Sequence, residues 1–233
     1  YGTQITPTCN SIQGTTVLTL NGITISSGLA ITLGAGSWNL NCSYAGNTNY
    51  AASSNSSNFV INQNTTYVLG ISKTSPINYG TPTDFTGTGC PLGLSCSLNI
   101  SNAVYSAGTV YANYSTPGNT NYSAKSVVDS IIINKAISAV GLTATTPINY
   151  GTTTNFAGSG CPSGATCNLN ISNAVYSAGT VSANYSFAGN TNYTASSAVF
   201  TVTINKANPA TLMNITGTTP IFYPQISALT FAE

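Results

Sequence analysis

Lys73, Lys125, Lys135, Lys206, Asp84, Asp129 and Glu233 are the only charged side chains in 233 residues, and neither His nor Arg occurs. Acid–base catalysis at neutral pH needs a group that titrates there, and nucleophilic catalysis needs a base beside the nucleophile. The chain offers neither. No Ser stands three residues before a Lys, and no glycine loop of the phosphate-cradling kind is present. No catalytic residue, cofactor or metal is therefore expected, and the chain does not read as an enzyme. The net charge is +1 and the lysines are scattered, so no basic patch awaits nucleic acid. One covalent reaction is worth naming. A Lys–Asn isopeptide bond needs a buried Lys beside an acid, and Lys73 with Asp84 or Asp129 is the only combination available. The stretch 136–206 has no acid at all, so such a bond cannot be a repeated feature.

The remaining reactive side chains are six cysteines, which by position pair as Cys9 with Cys42, Cys90 with Cys96, and Cys161 with Cys167. Zinc is the competing reading, but a C-x5-C spacing that occurs twice without any His fits a local staple better than a four-ligand site. Disulfides point to an oxidising, extracytoplasmic setting. The apolar fraction is 42%, so the low charge does not signal disorder. No apolar run approaches the ~18 residues of a membrane span. Tyr1 opens into a polar segment, and the chain reads as mature, with any targeting segment removed or lying outside it.

The elements that position these residues recur. "YAGNTNY" at 44–50, "TPGNTNY" at 116–122 and "FAGNTNY" at 187–193 are one loop written three times. "SPINYGTPTDFTGTGCPLGLSCSLNISNAVYSAGTVYANYS" from Ser75 is nearly repeated from Thr146, the mark of a tandem array. The expected units are 1–63, 64–135, 136–206 and a tail, 207–233. Each reads as β-strands, since β-branched and aromatic residues alternate with Ser, Thr and Asn between turn residues. Val181, Ala183 and Tyr185 share one strand face with an inward orientation, as do Val110, Ala112 and Tyr114, and as do Trp38, Leu40 and Cys42. Trp38 therefore reads as core, and not as a sugar platform. Asp129 falls on the inward parity, which predicts a bulge or a frayed strand start there. The "GNTNY" loops supply Gly and Asn where a turn needs positive φ, then a Tyr to cover an edge.

The pattern "INYGTTTNF … SAGTVSANYSFAGNTNYTASSAVFTVTINKA" resembles the tandem immunoglobulin-like repeat domains of bacterial and archaeal surface proteins. The closing signature carries the likeness; the cysteine staples and the short middle of each unit depart from it. The resemblance implies an all-β fold, tandem immunoglobulin-like β-sandwiches stacked end to end, in an extracellular or cell-surface protein.

Unit three has "ISAVGLTATTPIN" ahead of Tyr150-Gly151-Thr152, whereas unit one opens at Tyr1-Gly2-Thr3, so unit one is expected to lack its first strand. The tail "ANPATLMNITGTTPIFYP" reads as a first strand without a sandwich, with Leu212, Ile215, Ile221 and Tyr223 as candidate donor-strand residues. Strand addition between copies would join them head to tail into a filament. The expected partners are thus copies of the same chain, in the manner of archaeal threads and pili. The competing reading takes these residues as a window on a longer repeat protein: a stalk, an S-layer component, or an adhesin that binds glycans or cells through the loops at Gly46, Gly118 and Gly189. Ten Asn-x-Ser/Thr sequons occur, at Asn41, Asn55, Asn64, Asn99, Asn113, Asn121, Asn170, Asn184, Asn192 and Asn214. With 28 asparagines in a Ser/Thr-rich chain the number decides little. The placement is more telling, because Asn41, Asn113 and Asn184 take one outward position and N-linked glycans there would solvate a nearly uncharged surface.

Overall fold

The computed structural model describes residues 1–208, 214–216 and 230–232. The fold is all-β: among the described residues every regular element is a strand. The chain divides into two compact units, Tyr1–Ile133 and Asn134–Glu233.

The first unit holds two repeat modules. The first module contains β1 (Gln4–Ile5), β2 (Thr16–Leu20), β3 (Ile23–Ile25), β4 (Ile31–Thr32), β5 (Gly36–Tyr44) and β6 (Ser53–Ile61). Strands β3-β2-β5-β6 make one antiparallel sheet, and β1 pairs with β4. The β2–β3 hairpin turns on Asn21 (φ 47°) and Gly22 (φ 82°), the two consecutive left-handed residues that a two-residue hairpin loop requires. Leu18, Leu20 and Cys9 are buried behind it.

The second module contains β7 (Gly70–Ser72), β8 (Ile77–Asn78), β9 (Thr86–Thr88), β10 (Ser97–Leu98), β11 (Gly108–Thr116) and β12 (Lys125–Asn134). A four-stranded sheet, β10-β11-β12-β8, faces the pair β7–β9. Ile77, Phe85, Ala112, Ile131 and Ile133 form the core between them. The layers approach closely at Gly87, where an added Cβ would lie 2.2 Å from the Tyr114 ring. Strand β12 runs in unbroken register against β11, with Ala112 opposite Asp129. Neither the bulge nor the frayed strand start expected at Asp129 is found, since β12 is paired from Lys125 onward: the carboxylate meets Lys73 Nζ and accepts the Ser130 N–H, so its inward parity needs no backbone distortion.

The second unit repeats this plan with β13 (Gly141–Thr143), β14 (Ile148–Asn149), β15 (Ala157–Ser159), β16 (Asn168–Leu169), β17 (Gly179–Phe187) and β18 (Ser196–Asn205). The sheets are β14-β18-β17-β16 and β13-β15, with β14 parallel to β18. Leu142, Ile148, Phe156, Ala183, Val202 and Ile204 fill the core. Beyond it, β19 (Asn214–Thr216) pairs with β20 (Thr230–Ala232). The register Asn214↔Ala232 to Thr216↔Thr230 reproduces that of Gly141↔Ser159 to Thr143↔Ala157, with partners the same number of residues apart.

Candidate functional site

Two features of the first unit bear on how modules join: an edge of the first module with no described strand outside it, and the joint that ties the first module to the second. At the edge, β5 and β6 bring Trp38 opposite Phe59 and Gly36 opposite Ile61, as β11 and β12 bring Val110 opposite Ile131 and Gly108 opposite Ile133. Ile131 and Ile133 are 0% and 3% exposed, and Val202 and Ile204 match them in the third module. Phe59, Ile61 and Leu40 are only half-buried. In the second module β8 lies along the outer edge of β12, and Ser75 Oγ accepts the Ile132 N–H; Thr146 Oγ1 does the same for Thr203. On the first module no described strand lies outside β6. An apolar groove of about 210 Å³ remains, lined by Ile5, Thr6, Pro7, Leu40 and Phe59. Trp38 is half-buried rather than core, with its Nε1–H donated to the Gly34 carbonyl.

Of the candidate donor-strand residues, Leu212, Ile221 and Tyr223 lie outside the described residues. Ile215 sits in β19, opposite Phe231 of β20.

The joint is built by the loop 118–122. Gly118 takes φ 76°, and an added Cβ would stand 2.6 Å from the Tyr122 carbonyl oxygen. Positive φ falls on the glycine alone; the neighbouring Asn has a different task from the one expected. Asn119 Oδ1 accepts the N–H groups of Asn121 and Tyr122, and the Asn119 N–H is donated to the Tyr122 carbonyl. Asn47 and Asn190 make the same set of bonds in their loops. So braced, the second module's loop receives the end of the first. Asn64 N donates to the Asn121 carbonyl, and Ser123 N donates to the Asn64 carbonyl. Gln63 Nε2 donates to the Asn119 carbonyl at 2.8 Å. Asn121 Oδ1 accepts the Ala35 N–H at 2.8 Å. The Tyr122 ring stands edge-on to Tyr1 and to Tyr67, at centroid distances of 5.5 and 5.7 Å. Lys125 Nζ lies 4.8 Å from the Tyr67 ring centroid and donates to the Tyr67 carbonyl, and Tyr67 Oη donates to the Ser123 carbonyl. In the second unit Ala136 bridges Asn192 and Thr194 as Asn64 bridges Asn121 and Ser123.

The six cysteines form the three expected bonds. Cys9–Cys42 closes 33 residues with a Cα separation of 5.5 Å; Cys90–Cys96 and Cys161–Cys167 each close six. These bonds belong to an oxidising compartment. No helix of the described residues is long and apolar enough to cross a membrane.

The sequon asparagines differ in setting. Asn55, Asn99 and Asn170 are exposed; Asn41, Asn64, Asn113, Asn121, Asn184 and Asn192 are half-buried. Asn214 is on β19, and its side chain lies outside the description. Asn99 Oδ1 accepts the Asn113 N–H, as Asn170 Oδ1 accepts that of Asn184, both at 2.7 Å. Although Asn113 and Asn184 sit on the outward face, their Oδ1 atoms are buried without a hydrogen-bond partner. Asn64 Oδ1 accepts both the N–H and the hydroxyl of Thr66.

Sequence reasoning overlooked two asparagines. Asn102 Oδ1 accepts the Phe85 N–H and its Nδ2 donates to the Phe85 carbonyl; Asn173 brackets Phe156 in the same way. Their exact recurrence in the two repeats was the only available signal.

The two carboxylates of the second module are tied by hydrogen bonds. Two hydrogen bonds from Thr74, hydroxyl first and backbone second, hold Asp84 below the usual carboxylate range. The bond from Lys73, then that from Ser130, does the same for Asp129. Lys73 and Asp129 both keep part of their surface in solvent, so this pair lacks the burial that a Lys–Asn isopeptide bond needs. No group of three His, Cys, Asp or Glu side chains occurs among the described residues.

No protein-family model matches this sequence, and no curated protein matches it at a significant level.

Proposed function

We propose that this chain is a structural subunit of an extracellular surface filament, made of immunoglobulin-like β-sandwiches and joined head to tail by strand donation between copies. The half-buried row Leu40, Phe59 and Ile61 carries the reading, because its counterparts in both repeats are nearly free of solvent. Apolar side chains in a groove beside an unpaired strand edge call for an extended segment that supplies both backbone bonds and side chains. The stretch Thr218-Thr219-Pro220-Ile221-Phe222-Tyr223 repeats Thr145-Thr146-Pro147-Ile148-Asn149-Tyr150, which seals the third module, and a neighbouring copy offers it. Such a contact joins unlike surfaces, so it propagates into a filament unless the rotation between copies closes a ring. N-linked glycans on the exposed sequons would keep a nearly uncharged fibre soluble.

A second reading has its own observation. The β19–β20 register matches that of β13–β15, so the tail behaves as the opening of a further module, as in the stalk of a longer surface repeat protein. Electron microscopy and sedimentation of the purified 233-residue chain separate the two. Unbranched filaments that shorten on dilution support the subunit; a monomer at every concentration overturns it and leaves the stalk.

A further inference from the structure

The internal joint between the first two modules has two halves, and a counterpart of each is exposed elsewhere among the described residues. The receiving half is the loop 118–122. Its counterpart on the first module is the loop 46–50, braced by Asn47 in the same way, with Asn47 Nδ2 also tied to the Gln13 carbonyl. There Asn49, Tyr50 and Ala51 are exposed, where Asn121, Tyr122 and Ser123 are half-buried. The entering half consists of Tyr1, Ala35, Gln63 and Asn64, with the Tyr1 ammonium donated to the Asn62 carbonyl. Its counterpart on the third module is Tyr150, Ala178, Lys206 and Ala207, and Tyr150 N donates to the Asn205 carbonyl at 2.8 Å. Tyr150 is 54% exposed and Tyr50 is 50% exposed. Ala178 and Ala207 are exposed, whereas Ala35 and Asn64 are half-buried.

We propose that the loop 46–50 is a docking socket for the Tyr150/Ala178/Ala207 face of a second copy of this chain. The inference rests on the head-to-tail reading above and names the contact that fixes the angle between successive copies. In it the Ala178 N–H is donated to Asn49 Oδ1, the Tyr150 ring stands edge-on to Tyr50, and Ala207 pairs its backbone with the Asn49 carbonyl and the Ala51 N–H. Lys206 takes the place of Gln63 and donates to the carbonyls of Asn47 and Thr48. The fit differs at one point. Ser177 stands where Gly34 does, and a Cβ at Gly34 would lie 2.9 Å from Asn121 Oδ1. The facing atom is the end of a flexible side chain, so a small rotation of Asn49 relieves the approach. The socket is neutral, so the contact resists salt in a way that an ion-paired joint would not.

The test compares wild-type chain with Asn49→Ala and Tyr150→Ala in sedimentation and electron microscopy over a range of concentrations. The Asn49 N–H meets Asn47 and the Tyr150 N–H meets Asn205, bonds that both substitutions keep, and matching thermal melts check that each variant folds. Each variant is expected to raise the concentration at which filaments appear about fivefold to tenfold, as the loss of one hydrogen bond or aromatic contact implies. In the surviving filaments the angle between copies is expected to become irregular. Variants that assemble like wild type, with the same regular angle, overturn the socket and leave strand donation standing. A wild-type chain that never assembles overturns both. A native polypeptide in which a preceding module of the same chain occupies the loop also overturns the proposal.

Discussion

Asn121 Oδ1 accepts the backbone N–H of Ala35 at 2.8 Å, although 86 residues of chain separate the two. That bond joins the second module's loop to the first module's sheet entry, and Tyr122 packs beside it against Tyr1. The thrice-written "GNTNY" is thus more than a turn. In all three copies the first Asn braces the loop, and in the loop 118–122 the second Asn grips the neighbouring module while the Tyr supplies a contact surface.

Asn121→Ala removes the grip without disturbing the brace at Asn119. Exchange of the Ala35 amide hydrogen is expected to speed up about fivefold, in line with ~1 kcal/mol for a net hydrogen bond. Amides in the β11–β12 ladder should be unchanged. Unaltered exchange at Ala35 would mean that the joint is held by other contacts.

Acid should weaken the second module alone. Asp84 and Asp129 both have lowered pKa values in the folded state, so each contributes stability that is complete above the ordinary carboxylate range and is lost as pH falls through the folded-state values. The third module has Asn155 where the second has Asp84; its Oδ1 accepts the Thr145 N–H as Asp84 accepts that of Thr74, but its Nδ2 donates to the Thr145 hydroxyl, reversing the bond that the Thr74 hydroxyl donates to Asp84. With no His in the chain, melting of the second module should be flat between about pH 5 and 7. Below pH 4 the wild-type transition of the second module should fall, and that of the Asp84→Asn/Asp129→Asn variant should not. Parallel curves for the two proteins would show that the carboxylates contribute nothing.

The staples should differ in weight. Treating disulfides as constraints on the unfolded chain gives about 3.8 kcal/mol for Cys9–Cys42 and about 2.4 kcal/mol for each short loop. Cys9→Ala/Cys42→Ala should therefore destabilise its module more than Cys90→Ala/Cys96→Ala does, as read from urea midpoints. The reverse order would place the decisive strain in the hairpins.

Gly87 and Gly158 are seats for the Tyr114 and Tyr185 rings, which an added Cβ would approach to 2.2 and 2.5 Å. Gly158→Ala is expected to cost about 1–3 kcal/mol, the usual range for overpacking. Combining it with Tyr185→Leu should recover part of that loss, a coupling that a double-mutant cycle measures. Strict additivity would show that ring and glycine do not meet.

Glycans should favour the exposed sequons. Peptide mapping of native material is expected to find Asn99 and Asn170 modified more fully than Asn113 and Asn184, whose amide oxygens are buried. Equal occupancy at all four would show that burial in the fold does not govern the modification.

What could be read from the sequence followed from recurrence. The Cys90–Cys96 and Cys161–Cys167 pairs and the strand faces at Val110, Ala112 and Val181 were legible because two modules repeat them almost letter for letter, and Cys9–Cys42 followed as the pair left over. The β2–β3 hairpin was missed, though Asn21-Gly22 between apolar runs is its usual signal. Asn102 and Asn173 were illegible as clamps, since each acts on a residue 17 positions away that only the fold brings near. At Asp129 the parity argument expected a bulge, because it weighed the strand alone and not Lys73 across from it.

The measurement that bears most directly on the account is the intact mass of the native subunit, reduced, denatured and chemically deglycosylated, from isolated surface fibres. A peptide core of a few modules, far too short to span a fibre, is the expected result, with successive copies joined by contacts between chains. A core several times larger would contradict the subunit and make these modules part of one long covalent stalk.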